Sequence, residues 1–284
     1  VGKTRLQGVT EMGNKSQEQI IDAITGMLDK GIIPWKKTWK GAKPRNADGR
    51  AYTGINHFLL ACSGYELPRW LTYNKAKELG GNVKQGEKGT HVTYFNMSEK
   101  VDEVTGKISK FPLLRIYTVF NESQCENIEL PEIPQPKLIE AESIIQGYVN
   151  KPKITLGFSH ASYSPSSDSV FMPAIHQFDS ANAYYSTFFH ELIHSTGHKD
   201  RLSRKSLTEY DGFGGMNYSE EELVAEFGSA FLCAESGIDN TIVNSAAYIQ
   251  GWLKAFKDNP NMLIKSASAG QKASDYILGS KSED

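Results

Sequence analysis

The stretch Phe178-Asp-Ser-Ala-Asn-Ala-Tyr-Tyr-Ser-Thr-Phe-Phe-His190-Glu-Leu-Ile-His194 decides how this chain is read. Asp179 or Ser180 is placed to cap a helix, and Tyr185, Phe188, Phe189 and Leu192 supply its apolar stripe. On that helix His190 and His194 lie one turn apart on one face, so both imidazoles reach one ion. Glu191, beside the first, is placed to take and deliver protons at a water on that ion. The pattern predicts a divalent metal site, Zn²⁺ with Mn²⁺ or Co²⁺ as alternatives, since imidazole and carboxylate suit several ions. The plainer alternative is a pair of solvated histidines.

Two imidazoles need a third ligand, and three carboxylates compete for the place. Asp200 completes a metzincin-like His190-Glu-x-x-His-x-x-Gly-x-x-Asp200, although its neighbours Lys199 and Arg201 suit a solvent loop. Gly197 is expected to end the helix and swing His198 away. A later helix, Ser219–Cys233, has Ser219 as its expected cap and Glu222, Ala225, Glu226 and Ser229 on one face. Ala225 and Ser229 allow close approach to another helix, while Glu222 and Glu226 offer one carboxylate to the ion and one to a ligating histidine's other nitrogen. That is the gluzincin Glu-x-x-x-Asp arrangement with Glu in place of Asp. Glu222 stands first, then Glu226, then Asp200; Glu220 and Glu221 read as an ordinary acidic first turn. His160 and His176 read as structural, and Val170-Phe-Met-Pro173 as an edge strand lining the cleft.

Around this motif lie 284 residues, 39% hydrophobic and 23% charged, which excludes a disordered or fibrous chain. Cys62, Cys125 and Cys233 are odd in number and far apart, so neither a disulfide framework nor a Cys-x-x-Cys site is expected, and a reducing cytoplasmic setting follows. No run approaches the ~18 apolar residues of a membrane span, and no signal-peptide core opens the chain, so no membrane partner is expected. The net charge of −2 conceals an asymmetry: +6 over residues 1–127, with +8 within 30–91, against −8 over 128–284. Between the halves, Ile128-Glu-Leu-Pro-Glu-Ile-Pro-Gln-Pro136 holds three prolines in nine residues and reads as a stiff linker. The expected organisation is α+β in two domains: a disordered start over 1–14, a basic domain over 15–127, a linker over 128–137 and a mainly helical acidic domain over 138–284.

In the basic half, Ile20, Ile21, Ile24, Met27 and Leu28 predict an amphipathic helix over Ser16–Lys30. Further helices are expected over about 55–63 and Asn74–Leu79, and strands over His91–Asn96 and Pro112–Phe120. Aromatic residues are interleaved with cations here, which is what a single-stranded nucleic-acid groove requires: rings stack on bases while cations follow phosphates. The candidate rings are Trp35, Trp39, Trp70 and Tyr73. The candidate cations are Lys36, Lys37, Lys40, Lys75, Lys84, Lys88 and Arg115, with Arg50, Tyr52 and Asn56 alongside. At least one of the three tryptophans is expected in the core.

Lys30-Gly-x-x-Pro-Trp-x-x-x-Trp39, Gly49-Arg-Ala-Tyr-x-Gly-Ile-Asn56, Trp70-Leu-Thr-Tyr-Asn-Lys-Ala76, Leu79-Gly-Gly-x-Val-Lys-x-Gly-Glu-Lys-Gly89 and Tyr117-x-Val-Phe-Asn121 resemble the N-terminal domain of the ArdC antirestriction proteins, a module that also opens the TraC-type plasmid primases. Tyr184-Tyr185, His190–His194, Thr196-Gly-His-x-x-Arg-Leu202, Glu221-Glu-Leu-Val-Ala-Glu226 and Ala230-Phe-Leu232 resemble the zincin-like metallopeptidase domain that follows it. The resemblance implies single-stranded DNA binding, antirestriction on a plasmid or other mobile element, and a peptidase-like site acting on a restriction-system protein or another peptide. Two rivals stand beside it: a non-enzymatic protein that coats single strands and keeps only a structural metal, and a plain peptidase whose basic half binds protein.

Overall fold

The computed structural model describes residues 18, 20–30, 33–36, 43–101, 108–131, 138–209, 215–238, 252–256, 259 and 261–280. The start over 1–14, the linker residues 132–137, and Lys37, Trp39 and Lys40 lie outside them. The architecture is α+β in two domains.

In the N-terminal half, the apolar spacing of Ile20, Ile21, Ile24 and Leu28 produces a helix, α1 (20–28), with those four side chains buried. Helix α2 (Gly54–Ala61) follows strand β1 (Arg45–Asn46). Strand β2 (Arg69–Thr72) runs directly into α3 (Tyr73–Glu78), whose first turn is capped by Thr72 accepting the Lys75 N–H at 3.2 Å. A small pair, β3 (Asn82–Val83) with β6 (Cys125–Glu126), flanks the long hairpin β4 (Thr90–Val101) and β5 (Ile108–Asn121). The main sheet has the order β1-β2-β5-β4, with β4 and β5 antiparallel and Val92 opposite Tyr117. The alternating stretches thus mark the middle of longer strands.

The C-terminal half opens with α4 (Ala141–Gly147) and a three-stranded sheet of β7 (Lys153–Leu156), β8 (Ser162–Ser164) and β9 (Ser169–Met172). Its order is β7-β9-β8, so β9 is the central strand and not the expected edge, with Val170 and Met172 fully buried. The flanking strand that covers it, Ser-Tyr-Ser, carries too little apolar signal to be seen in sequence. Five helices complete this half among the described residues: α5 (Ala181–Thr196), α6 (Lys205–Thr208), α7 (Met216–Ser236), α8 (252–256) and α9 (Asn261–Leu278). Ser180 caps α5, accepting the Ala183 N–H at 3.1 Å, and Gly197 ends it. Helix α7 begins at Met216 with Gly215 as cap, one turn before the expected Ser219, whose hydroxyl instead donates back to the Gly215 carbonyl at 2.9 Å.

Helices α5, α7 and α9 approach closely because small residues line their crossings. A Cβ on Gly270 of α9 would lie 2.8 Å from the Gly228 backbone nitrogen, and one on Gly228 of α7 would lie 2.6 Å from Ile193 of α5. Ser229 donates to the Ser186 carbonyl at 3.0 Å, tying α7 to α5 in a buried contact. These contacts lay one face of α7 along the histidine-bearing face of α5.

The two halves share a core. Ile20, Ile24, Leu28, Trp35 and Phe58 pack in one cluster with Leu223, Phe227 and Phe231 of α7, Trp252 and Phe256 of α8, and Leu263 and Ala267 of α9. Trp35 meets Phe227 and Trp252 edge-on, with ring centroids 4.8 and 5.4 Å apart. Lys43 and Glu235 form an ion pair across the same boundary. Opposite net charges and a proline-rich connection suggest modules that fold alone; the structure replaces that expectation, because the apolar stripe of α1 is covered by helices from the other half.

Candidate metal centre and nucleic-acid interface

Helix α5 sets His190 and His194 one turn apart, with their Nε2 atoms 3.1 Å from each other. Helix α7 brings Glu222 over them, its carboxylate oxygens 3.6 Å from each Nε2. These three residues are the one metal-capable group of histidine, cysteine or carboxylate residues among those described, with ligand atoms mutually within 4.8 Å. A divalent ion with ligands at about 2.0–2.1 Å in tetrahedral array requires them about 3.3 Å apart. The observed separations bracket that figure. Two imidazole nitrogens and a carboxylate at these distances form a donor set that fits a divalent ion.

The site is mostly enclosed: the side chains of His190, His194 and Glu222 are 12%, 11% and 18% exposed. Burial pulls the His190 imidazole down, but contact with Glu222 and the charges of Glu222, Glu191 and Glu226 outweigh it and hold the group at about 9. Burial pushes the Glu222 carboxyl up, and its contacts with His190 and His194 carry it below its usual value. Glu191 is itself buried.

His194 is fixed from behind. Its Nδ1 lies 3.2 Å from Glu221 Oε1. Arg204 donates from Nε to Glu221 Oε2 at 3.0 Å and from a terminal nitrogen to Oε1 at 2.5 Å, and Ser206 donates to Oε2 at 2.6 Å. Burial alone would raise the Glu221 carboxyl, yet Arg204 and His194 hold it at about 2. An anion at Nδ1 selects the tautomer that leaves Nε2 free for an ion. The spacing of α7 offers Glu226 for this partner role and reads Glu221 as an acidic first turn; at His194 the structure has Glu221 in that role. Glu221 follows Arg204 by seventeen residues in the sequence, and nothing in the spacing of α7 alone reveals the pairing. Nδ1 of His190 is buried with no hydrogen-bond partner.

Asp200 is exposed, 3.5 Å from His198 Nδ1 and outside the three-residue group, so the metzincin-like third ligand is not assembled. The segment after α5 is not a simple solvent turn either. Arg201 points inward, donating from Nε to the Ser195 carbonyl at 2.7 Å and pairing with Asp168, which also accepts from Tyr163 at 2.9 Å. This ties the end of α5 to β8 and β9.

The N-terminal candidates separate sharply. Trp35 and Trp70 are buried, Trp70 edge-on to Tyr65 at 5.4 Å, and neither ring faces solvent for a base to stack on. Tyr52 is half-buried and its phenol is pushed up to about 12 by burial. Asn56 is consumed by the open edge of β4: its amide donates to the Thr93 carbonyl and accepts the Thr93 N–H, both at 2.7 Å. Lys75 pairs with Asp48 at 3.1 Å, and Lys84 donates to the Ser123 carbonyl at 2.8 Å. Tyr73 is exposed with Lys77 4.9 Å above its ring. Arg50, Lys88 and Arg115 are exposed; Lys37, Trp39 and the Lys36 side chain fall outside the described residues. Tyr94, not among the candidate rings, is exposed beside Tyr117 with ring centroids 6.0 Å apart.

No helix among the described residues is long and apolar enough to cross a membrane. Residues 14–120 match the family of the N-terminal domain of anti-restriction factor ArdC, and residues 140–269 match the zincin-like metallopeptidase family. Two DNA primases named TraC from Escherichia coli are 34% and 32% identical over 95% and 92% of this chain, which spans 28% and 20% of their lengths. The uncharacterized protein y4eC of Sinorhizobium fredii is 31% identical over 98% of this chain and 94% of its own. Among solved structures, the antirestriction ArdC protein from plasmid R388 superposes in its metal-free form with a TM-score of 0.79, at 38% identity over 92% of this chain and 96% of that one. Its Mn(II)-bound form gives 0.77, at 35% identity over 93% and 97%.

Proposed function

The chain belongs to the ArdC family of anti-restriction factors, and from that premise we propose that it binds single-stranded DNA through residues 15–127 and holds a divalent ion in its zincin-like domain, residues 138–284. His190, His194 and Glu222 are the ligands in this reading. The observation that carries it is the convergence of those three side chains from two helices, with Glu221 at the back of one of them. The ion is Zn²⁺ or, as in the R388 relative, Mn²⁺.

A divalent ion held there supplies Lewis acidity toward a carbonyl or water oxygen. The chain's own groups do the rest. His194 is held in one orientation by Glu221, Arg204 and Ser206, and Glu222 balances charge at the site. Glu191 moves a proton from an attacking water to the leaving nitrogen of a peptide, the work of a general base and then a general acid. The substrate class in this reading is a peptide bond, for instance in a restriction-system protein. The enclosed ligands favour one alternative, in which the ion is structural and protection comes from coating the strand.

Replacing Glu191 by Gln separates the two. The variant keeps size and helix, so the ion and single-stranded DNA should both still bind, while any hydrolysis falls by ~10²–10⁴. Loss of protection of incoming DNA in this variant supports the peptidase reading; full protection supports coating. A purified double variant His190→Ala/His194→Ala that still carries one equivalent of metal would overturn the site itself.

A further inference from the structure

We propose that one face of the β4–β5 hairpin, made by Tyr94, Tyr117 and Arg115, is the platform on which bases of a single strand stack. The proposal rests on the single-strand reading above and supplies it with residues in place of the buried tryptophans.

Side chains alternate along a strand, so Val92 and Tyr94 share a face of β4, and Arg115, Tyr117 and Val119 share the same face of β5. The register confirms the match, with Val92 opposite Tyr117 and Tyr94 opposite Arg115. Val92 and Val119 are 4% and 2% exposed and pack with Leu60 and Trp70. One step outward the cover ends: Tyr94 is 53% exposed and Tyr117 is 40% exposed. The two rings meet at 82°, so each leaves a broad face open to solvent.

Rings placed this way add little to the fold, yet they continue a rigid, core-anchored sheet. Flat bases fit such a surface, because a pleated sheet holds rings at fixed positions and every base has a π-face to stack. Arg115 supplies the charge. It is exposed, in register with Tyr94, and has no carboxylate partner among the described residues. Lys75 and Lys84 are held by protein groups. A phosphate beside two stacked bases complements the free guanidinium, which a purely apolar protein partner would leave unpaired.

The test uses the full chain and a labelled oligo-dT of about 20 nucleotides. Tyr94→Ala/Tyr117→Ala should weaken binding at fixed salt by at least ~10-fold with an unchanged melting temperature, while Tyr94→Phe/Tyr117→Phe restores it. Arg115→Ala should lower the slope of log affinity against log salt by about one. A double alanine variant that binds as tightly as the wild type overturns the platform, as does equal loss in the alanine and phenylalanine pairs, which indicates hydroxyl contacts. Equal loss for a duplex of the same length also overturns it. If the wild-type chain retards no single strand, the domain reading fails first and the platform falls with it, an outcome distinct from the others.

Discussion

The metal-site end and the basic end of this molecule differ in what places their side chains: local helix geometry at the first, tertiary packing at the second. At the metal site, four-residue spacing on a capped helix dictates that His190 and His194 face one way, and the structure places them so. At the basic end, residue type suggested which rings face solvent, and the structure buries Trp35 and Trp70 while exposing Tyr94 and Tyr117. Helical geometry is local and survives any tertiary context. Exposure is a property of what packs on top, and Trp35 is covered by Phe227 and Trp252, almost two hundred residues and more away.

The largest expected effect tests the stronger end. His190→Ala/His194→Ala should abolish stoichiometric metal, measured on purified protein by elemental analysis. Glu222→Ala should weaken metal binding far more than Asp200→Ala, and the reverse order would restore the metzincin-like ligand set.

The next tests ask how far the two ends are one body. Residues 1–127 produced alone would expose Ile20, Ile24, Trp35 and Phe58, so they should fail to form a stable monomer by size-exclusion chromatography and circular dichroism. A well-folded isolated fragment would reinstate independent modules. In the full chain, Trp35→Ala should cost about 3–5 kcal/mol, the usual range for a deleted core aromatic, read as a lowered denaturant midpoint. Trp35→Phe should bind single strands as the wild type does. Weakened binding in a variant that remains fully folded would return Trp35 to the DNA surface.

Glu221→Gln probes what sequence missed at the metal site. It keeps shape but removes the anion that orients His194, so metal affinity should fall by about 10–100-fold in a titration. The same substitution at Glu226 should change it less. If Glu226→Gln proves the more damaging, the carboxylate behind the histidines has been misassigned.

The most gradual effect is in pH. His57 is buried and held neutral, its pKa lowered to about 3 by burial and by the charge of Lys43. Its ring meets Phe231 edge-on at 5.4 Å, on the boundary between the halves. The unfolded chain takes up this proton near pH 6.5 and the folded chain does not, so stability falls as pH drops from 6.5 toward 3, by at most about 1.4 kcal/mol per unit. His57→Gln should flatten that part of the melting-temperature profile. The metal-free site has the opposite sign on the alkaline side: His190, raised to about 9, contributes stability below pH 6.5 that is lost as pH rises through 9.

By itself, the sequence determined what depends on neighbours along the chain. The caps and stripe of α5, the one-turn separation of the histidines, the alternation of β4 and β5 and the charge contrast between the halves were all legible. So was the place of Glu222 on the patterned face of α7. Only the tertiary structure decided the rest. Glu221 became the partner of His194 because Arg204 and Ser206 reach it from the start of α6. The strand at 169–172 became central because a polar strand pairs beside it. Two domains became one core because α1 and Trp35 lie against α7 and α8. Each of these outcomes is a choice of packing partner, made by the burial of apolar area and the pairing of buried charge over the whole chain and not by the residue pattern of either member alone.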